Sequence, residues 1–312
     1  MTLLEYAKTA FNGGEFTKAA IVEMFARASA WLAQIDFMTI QGNAYAYNRE
    51  GVLPGVAFRG VNESFTKSTG VVNPFVEALR ISGGELAVDT FLIRTMGEGR
   101  RGQEENMKVK ALAAEITRVL IKGDSTSQPR EFDGLQARVT GDQLISAGTT
   151  DNGDALSLAK LDEAIDAVPG ANAIWLSKAL KRRFSAALRG STLAGNIEQT
   201  RDDFGRPIMT YAGIPLTVPY PENDGTEPLA FDEQGDIAGS PAGSSSTSLY
   251  VLNIGPGRVA GIQSAPMDVR DLGEMETEPK VLTRVEWDIG LVVEHGRAVS
   301  RVGGISDAAL VA

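Results

Sequence analysis

Alternating side chains near the C-terminus predict one long β-strand. Apolar or β-prone residues stand at every odd position from 281 to 293: Val281, Thr283, Val285, Trp287, Ile289, Leu291 and Val293. Charged residues fall on even positions between them, namely Arg284, Glu286 and Asp288. Successive side chains of a strand point to opposite faces, so the pattern predicts a strand with one buried face. At about 3.3 Å per residue, about 13 residues would extend about 43 Å.

A long amphipathic helix is predicted from Gln103 to Lys122. Its apolar stripe consists of Val109, Leu112, Ile116, Val119 and Leu120. Gly123 supplies a stop signal, and at 1.5 Å per residue the helix would be about 30 Å long. A helix and a strand of this length predict an elongated helix-on-sheet platform and an α+β fold.

The segment from 41 to 95 predicts an extended β-hairpin. Gly, Asn and Ser interrupt β-prone pieces at 56–61 and 64–69, and a strand is predicted at Leu86–Ile93. The segment is too long for an ordinary connection, which is usually about 4–6 residues. We therefore expect a hairpin whose packing partners lie elsewhere. A helix predicted at 15–35 precedes it and could pack on a neighbouring subunit or on its own core.

The remainder of the chain alternates between short helices and strands. Strands are predicted at about Leu135–Val139, Pro207–Tyr211, Ile214–Val218 and Leu249–Ile254. Helices are predicted from Leu158 to Val168 and from Ser177, as an N-cap, to a stop at Gly190. Residues 221–248 are acidic and then rich in Ser and Gly, which predicts a mobile surface loop.

The composition of the 312 residues excludes several classes of protein. The chain has no Cys and a single His, so disulfides, thiolate nucleophiles and multi-His metal sites are excluded. The net charge is −10, and residues 221–312 hold 15 acids against 6 bases, which argues against a protein that grips nucleic acid tightly. No apolar run approaches the roughly 18 residues of a membrane span, and the N-terminus has no secretory pattern.

One glycine motif could bind a nucleotide. Gly97–Gly102 reads G-x-G-x-x-G between a predicted strand and a predicted helix, and Asp124 stands near the distance expected of a ribose-binding acid. However, Asp124 ends the helix, and no parallel βαβ unit follows. A hinge before the helix is favoured, and a nucleotide-dependent oxidoreductase remains an alternative. Arg100 and Arg101 could bind phosphate or an acidic neighbouring chain.

The other candidate groups have plainer explanations. His295 is predicted at a solvated hairpin turn, without the nucleophile and acid of a triad. An acidic set offers the oxygen ligands of calcium but not the spacing of an EF-hand, which favours a solvated loop: Glu222, Asp224, Glu227, Asp232, Glu233 and Asp236. One cluster of basic residues could contact nucleic acid, but a solvated helix face or salt bridges to another subunit is favoured. Its members are Lys178, Lys181, Arg182, Arg183 and Arg189. We assign no catalytic, cofactor-binding or metal-binding residue and expect a protein that is not an enzyme.

The order of these elements resembles a tailed-bacteriophage major capsid protein of the Hong Kong 97-type fold. The strings that carry the resemblance are Phe132–Leu135, Asn172–Ser177, Phe204–Leu216 and Leu249–Gly257. The resemblance implies an N-terminal arm at 1–45 and an extended β-loop at 46–95. It further implies a peripheral domain with a spine helix at 96–129 and 263–312, and an axial domain at 130–262.

The resemblance also implies a function. We expect hexamers and pentamers that form an icosahedral shell around double-stranded DNA, in a virion assembled in the bacterial cytoplasm, with the 15–35 helix and the hairpin lying across neighbouring subunits. The expected partners are a scaffolding protein, a portal and DNA through weak non-specific contact, with a decoration protein as a further candidate and with no membrane and no cofactor. An encapsulin-like nanocompartment is the alternative.

Some relatives join their subunits through a Lys–Asn isopeptide bond, for which Lys67 would be the donor. The last Asn of this chain is Asn253, so we expect no such cross-link.

Overall fold

A computed structural model describes residues 1–189, 197–201, 207–219, 227–237 and 243–311. Its α-helices are α1 (Leu3–Asn12), α2 (Phe16–Ala28), α3 (Ala30–Gln34), α4 (Thr90–Met96), α5 (Glu98–Lys122), α6 (Leu135–Arg138), α7 (Leu158–Ala167) and α8 (Lys178–Arg189). Its first seven strands are β1 (Phe37–Thr39), β2 (Ala44–Val52), β3 (Val71–Ala78), β4 (Arg80–Asp89), β5 (Leu144–Ser146), β6 (Ala173–Trp175) and β7 (Ile197–Arg201). The others are β8 (Pro207–Tyr211), β9 (Ile214–Thr217), β10 (Thr247–Leu252), β11 (Val259–Gln263), β12 (Asp268–Glu274), β13 (Lys280–Val293) and β14 (Val299–Ile305).

Strand β13 is the predicted long strand, and it is paired along both edges. One edge pairs with β4 from Lys280 to Ile289. The other edge pairs first with β12 and then with β11, and β1 adds to β11 in parallel. Val285, Trp287 and Leu291 are buried, as the alternation predicted. Both the strand and its buried face are therefore confirmed.

A second sheet contains seven strands in the order β5-β14-β10-β6-β9-β8-β7. Helices α7 and α8 cover one of its faces, where Leu161 and Phe184 share a core with Val251. Side chains from the other face, including Trp175 and Tyr250, belong to the core of the first sheet. Although β14 follows β13 directly, it pairs with β5 and β10, so the turn that contains His295 connects two sheets and is not a hairpin turn.

Helix α5 confirms the predicted amphipathic helix but begins five residues earlier, at Glu98. The predicted 15–35 helix is broken, because the extended backbone at Ser29 separates α2 from α3. Phe25 of α2 and Trp31 of α3 are fully buried with Ile116 of α5. Its apolar face packs on its own core, one of the two possibilities that the sequence left open, and a contact of its other face with a neighbouring subunit stays a prediction. Helix α1 precedes it and was not predicted.

A pair of tryptophans joins the N-terminal segment to the second sheet. The rings of Trp31 and Trp175 stack with their centroids 4.9 Å apart. Trp31 Nε1 donates to the Thr217 carbonyl at 3.2 Å, and Trp175 Nε1 donates to Gln34 Oε1 at 2.9 Å. Gln34 Nε2 in turn donates to Thr217 Oγ1 at 2.8 Å. This junction therefore combines apolar burial with satisfied hydrogen bonds.

One predicted strand ends earlier than expected, and three other predicted β-prone pieces form no strand within the described residues. The strand predicted at Leu86–Ile93 is β4, which ends at Asp89 because that side chain accepts a hydrogen bond from Phe91 N and caps α4. The piece at Leu135–Val139 contains helix α6. The pieces at 56–61 and 64–69 form no strand in the described structure, because β-prone residues need a paired neighbour to form one.

The predicted surface loop at 221–248 is partly buried. Ser246–Ser248 and Glu233 lie in the interior, where Arg301 Nη2 donates to Glu233 Oε2 at 2.8 Å. Residues 220–226 and 238–242 lie outside the described residues, as do Gly190 and 202–206 of the predicted motifs. The acidic residues of this segment are therefore not uniformly solvated.

We predict that Trp31→Ala lowers the free energy of unfolding by about 3–5 kcal/mol, because it removes a fully buried aromatic ring. Urea unfolding followed by circular dichroism measures the change. Phe58→Ala is the matched control, since that ring is exposed and its loss should change stability by less than about 0.5 kcal/mol. Equal stability of the two variants would contradict a structural role for the tryptophan pair.

Candidate assembly interface

Strands β2 and β3 form a two-stranded sheet that pairs only with itself in the described structure. The register runs from Ala44 opposite Ala78 to Val52 opposite Val71, and residues 53–70 connect the two strands. An isolated hairpin of this kind is marginally stable in water. Its position therefore depends on what holds its base and what its tip contacts.

The base of the hairpin is bound to the end of β13. Tyr45 Oη donates to Glu294 Oε1 at 2.8 Å, a hydrogen bond that raises the pKa of Tyr45. Tyr47 Oη donates to a β13 carbonyl at 3.1 Å, and burial raises its pKa. The Tyr47 ring stacks on Phe75, and the Arg49 guanidinium lies 4.4 Å from the Phe75 ring centroid. Cation–π contact, aromatic stacking and hydrogen bonds thus fix one side of the base.

An ion pair fixes the other side. Arg138 of α6 binds both carboxylate oxygens of Glu77 in β3, and its Nε donates to the Asp133 carbonyl at 2.8 Å. The side chains of Arg138 and Glu77 are only 12% and 17% exposed. A two-point contact of this kind is directional, so it sets the angle at which the hairpin leaves the body.

The tip of the hairpin presents apolar side chains to solvent. Phe58 is fully exposed, Val56 is 95% exposed and Val61 is 91% exposed. Further exposed apolar residues of the hairpin are Val52, Leu53, Phe65, Val71, Val72 and Val76. A contiguous exposed apolar patch on a soluble domain marks an interaction site.

Local contacts order the tip without burying it. Gly60 N donates to Glu63 Oε2 at 2.8 Å, and the Arg59 guanidinium lies 5.3 Å from the Phe65 ring centroid. The tip is thus shaped before any partner binds it.

The residues considered for an isopeptide cross-link have separate surroundings. Lys67, which would be the donor, is exposed in this segment. The side chain of Asn253, the last Asn of the chain, donates a hydrogen bond to the Pro169 carbonyl.

The glycine motif has the wrong structural context for a dinucleotide site. Helix α4 precedes Gly97, and Gly99 and Gly102 lie inside α5. A dinucleotide fingerprint needs a strand, a tight turn and then a helix. The structure therefore does not provide the motif context on which the oxidoreductase alternative depends. Of the three glycines expected to form a hinge, Gly97 alone has a positive φ, +82°, and it lies at the junction of two helices.

Arg101 acts within the subunit rather than on a phosphate. Its guanidinium contacts Glu105 at 3.1 Å and Asp271 at 2.6 Å and donates to Thr283 at 3.0 Å. The hydrogen bond from Arg101 lowers the pKa of Asp271. These contacts fasten α5 to β12 and β13. The Arg100 side chain lies outside the described residues.

His295 is exposed, and its Nδ1 accepts a hydrogen bond from Arg297 N at 3.1 Å. Desolvation lowers the pKa of His295, as do the positive charges of Arg258, Arg297 and Arg49. His295 therefore lies among positively charged side chains at the base of the hairpin.

A cavity of about 610 Å³ lies between the end of α5 and residues 232–237. Most of its charges are paired, since Lys122 pairs with Asp232 at 2.5 Å and Arg301 pairs with Glu233, while the Asp124 carboxylate accepts hydrogen bonds from Thr126 and Ser127. Among the described residues, no group of three or more His, Cys, Asp or Glu side chains is placed to hold a metal ion. No described helix is long and apolar enough to cross a membrane.

Comparison with known proteins supports a shell-forming fold. Residues 13–159 match the family model of Major capsid protein GP7. The holo-SrpI encapsulin complex of Synechococcus elongatus PCC 7942 is 18% identical, with 89% of this chain and 88% of that chain covered and a TM-score of 0.62. A structure described as Mycobacterium phage Adephagia is 12% identical, with 90% and 91% covered and a TM-score of 0.60. A search of curated proteins found no match.

The fold is therefore the Hong Kong 97-type capsid fold, and the α+β class is confirmed. The resemblance to major capsid proteins of tailed bacteriophages is also confirmed, and the family match over residues 13–159 supports a capsid shell protein.

The residues that anchor the hairpin were missed at the level of sequence. Tyr45, Tyr47 and Arg49 alternate along β2, so a period-two search could have found them on one face. The partnership of Glu77 with Arg138 leaves no comparable signal, because the two residues are 61 positions apart.

We predict that Glu77→Gln accelerates amide hydrogen exchange throughout β2 and β3, because it leaves the Arg138 charge without its partner. Hydrogen-exchange mass spectrometry measures the change at pH 7. The matched control is Glu63→Gln, which neutralises a carboxylate at the tip and should affect only residues near 60. If the amides of β2 and β3 exchange at the same rate in both variants, the Glu77–Arg138 pair does not anchor the hairpin.

We predict a mild acid sensitivity that depends on His295. A folded-state pKa below the ordinary value of about 6.5 means that the unfolded chain binds this proton more readily, so stability is full above about pH 6.5 and declines as the pH falls below it. Urea unfolding between pH 7.5 and 5.5 should show a smaller decline for His295→Gln than for the wild type. The test is clean because the chain has one His. Equal declines would refute the assignment.

Proposed function

We propose that this chain is the major capsid protein of a tailed bacteriophage, whose hexamers and pentamers form an icosahedral shell around double-stranded DNA. The observation that carries the proposal is the hairpin, which is anchored at its base and exposes its apolar tip. A monomer would leave this surface in water, whereas an assembly would bury it. Obligate interfaces of this kind often exceed about 2,000 Å².

We propose domain boundaries that follow the strand pairing of the two larger sheets. The arm is 1–45 and the extended loop is 46–95, as expected from the sequence. The peripheral domain contains α5, β12 and β13, and the axial domain contains the seven-stranded sheet. Because β14 pairs with β5 and β10, we assign residues 299–311 to the axial domain and not to the peripheral domain.

The acidic character of the chain suits a container for DNA. A net charge of −10 favours weak, non-specific contact, and a strong grip would impede packaging and release. We further propose a separate scaffolding protein and a portal as partners, with a decoration protein as a further candidate, and assembly in the bacterial cytoplasm before residence in the virion.

An encapsulin-like compartment is the second candidate, because an encapsulin complex shares the fold at a TM-score of 0.62. The match of residues 13–159 to a major capsid family favours the phage protein. The contents of particles purified from their native source distinguish the two. Nuclease-protected double-stranded DNA supports the capsid, and an enclosed protein without DNA supports the compartment.

We predict that replacing residues 53–70 by Asn-Gly abolishes shells and leaves a folded subunit. Val52 and Val71 are opposite each other in the register, so a two-residue turn can join them. Negative-stain microscopy and sedimentation velocity measure assembly, and circular dichroism reports folding.

A second variant separates the apolar contact from the length of the loop. The triple change Val56→Ser, Phe58→Ser and Val61→Ser keeps all residues and should also prevent assembly, because it removes the exposed apolar surface. The control is Leu4→Ser, an exposed apolar residue of α1. Normal shells from the Asn-Gly variant would overturn the role of the hairpin in assembly.

A further inference from the structure

Helix α8 carries an unusually basic exposed face. Lys178 and Arg182 are exposed and Lys181 is half-buried, and these three form no ion pair within the described residues. Arg183 is different, because its Nε donates to Asp307 at 2.9 Å. The apolar face of the helix is buried, with Leu180 and Phe184 in the core. The basic face is therefore the surface that the fold leaves available.

Helix α7 carries the opposite charge on the same face of the same sheet. Its Glu163 and Asp166 are exposed, whereas Leu161 and Ala164 are buried. Tyr211 contacts both helices, because its ring meets Phe184 and its hydroxyl donates to Asp162 at 2.7 Å. Glu163 pairs with Lys160 of the same helix at 2.7 Å, so of these two acids Asp166 is the one without an ion pair, and no ion pair joins α7 to α8 among the described residues. An acidic and a basic face thus lie side by side without neutralising each other.

Both helices place charges where the helix dipole disfavours them. The first turn of α8 contains Lys178 and Lys181 and no acid, although the dipole favours acids there. The last turn of α7 contains Asp166 and no base, although the dipole favours bases there. In an isolated subunit these choices cost stability. A partner that brings the opposite charge to each helix end would offset that cost.

We propose that the basic face of α8 in one subunit docks against the acidic face of α7 in a second copy of this chain. A contact between two different patches on successive copies is head-to-tail, and head-to-tail contacts close into rings when the rotation permits. Charge complementarity sets the orientation of such a contact. The inference rests on the proposed shell function and names the residues through which neighbours within one ring meet.

The test is a reciprocal charge reversal in the full-length chain. Lys181→Glu with Arg182→Glu, and separately Glu163→Lys with Asp166→Lys, should each raise the protein concentration needed for rings or shells by about tenfold or more, because like charges then face each other. Combining all four changes restores attraction and should return that concentration to near the wild-type value. Sedimentation velocity and negative-stain microscopy measure assembly, and wild-type assembly at the ring contact should weaken with added salt.

A matched control carries the same change of net charge elsewhere. Lys8→Glu with Arg130→Glu alters two exposed bases outside both helices and should assemble like the wild type. Circular dichroism and thermal unfolding check that every variant folds. If the control fails as badly as the α8 variant, net charge and not this contact governs assembly, and the inference is wrong.

The remaining outcomes separate the inference from the proposed function. If the wild type forms no ring or shell, the proposed function fails. If the wild type assembles and the α8 reversal assembles equally well, or if the fourfold variant is not rescued, the inference alone fails. An electrophoretic shift with a short DNA duplex covers the other occupant. Loss of DNA binding by the α8 reversal, with assembly intact, would assign the basic face to nucleic acid and overturn the contact.

Discussion

Strand β13 pairs with other strands along both of its edges, and this pairing brings together the segments that form the body of the subunit. Strand β4 reaches one edge from a position about 200 residues earlier, and β11 and β12 share the other. Trp287 then presents its ring to Phe25 at 5.5 Å and to Phe37 at 4.9 Å, which docks the N-terminal helices. The end of the same strand holds the hairpin through Tyr45 and its neighbours. Because this sheet joins distant parts of the chain, its loop-closure entropy must be offset by extensive burial.

Two further contacts, an aromatic stack and a buried ion pair, join other segments to the body around that sheet. The stacked pair Trp31 and Trp175 links the N-terminal segment to the second sheet. The ion pair between Glu233 and Arg301 fastens the segment at 227–237 to β14, and both side chains are more than nine-tenths buried. Removing one partner of such a buried pair leaves an uncompensated charge, so the pair enforces one arrangement even where its net stabilisation is small.

The sequence predicts best those elements whose pattern is carried by residues close together in the chain. The alternation at 281–293 and the apolar stripe of α5 are local periodicities, and both elements are where they were predicted. The predictions failed where a single residue redirected the chain. Asp89 caps a helix in the middle of a predicted strand, and the extended backbone at Ser29 divides a predicted helix. The motif that begins at Gly97 resembles a phosphate-binding turn in the sequence because a strand, and not helix α4, is predicted before it.

The long strand and the spine helix follow from the amino-acid sequence alone, because their periods are carried by neighbouring residues, and the absence of cysteine chemistry follows from composition. The surfaces that remain for other subunits follow from the tertiary fold. It buried the N-terminal helices on their own core, engaged Arg101 with Asp271, paired Glu77 with Arg138, and left Phe58 in water. Each of these outcomes depends on residues far apart in the chain, and the free energy of burial is defined only once they are brought together.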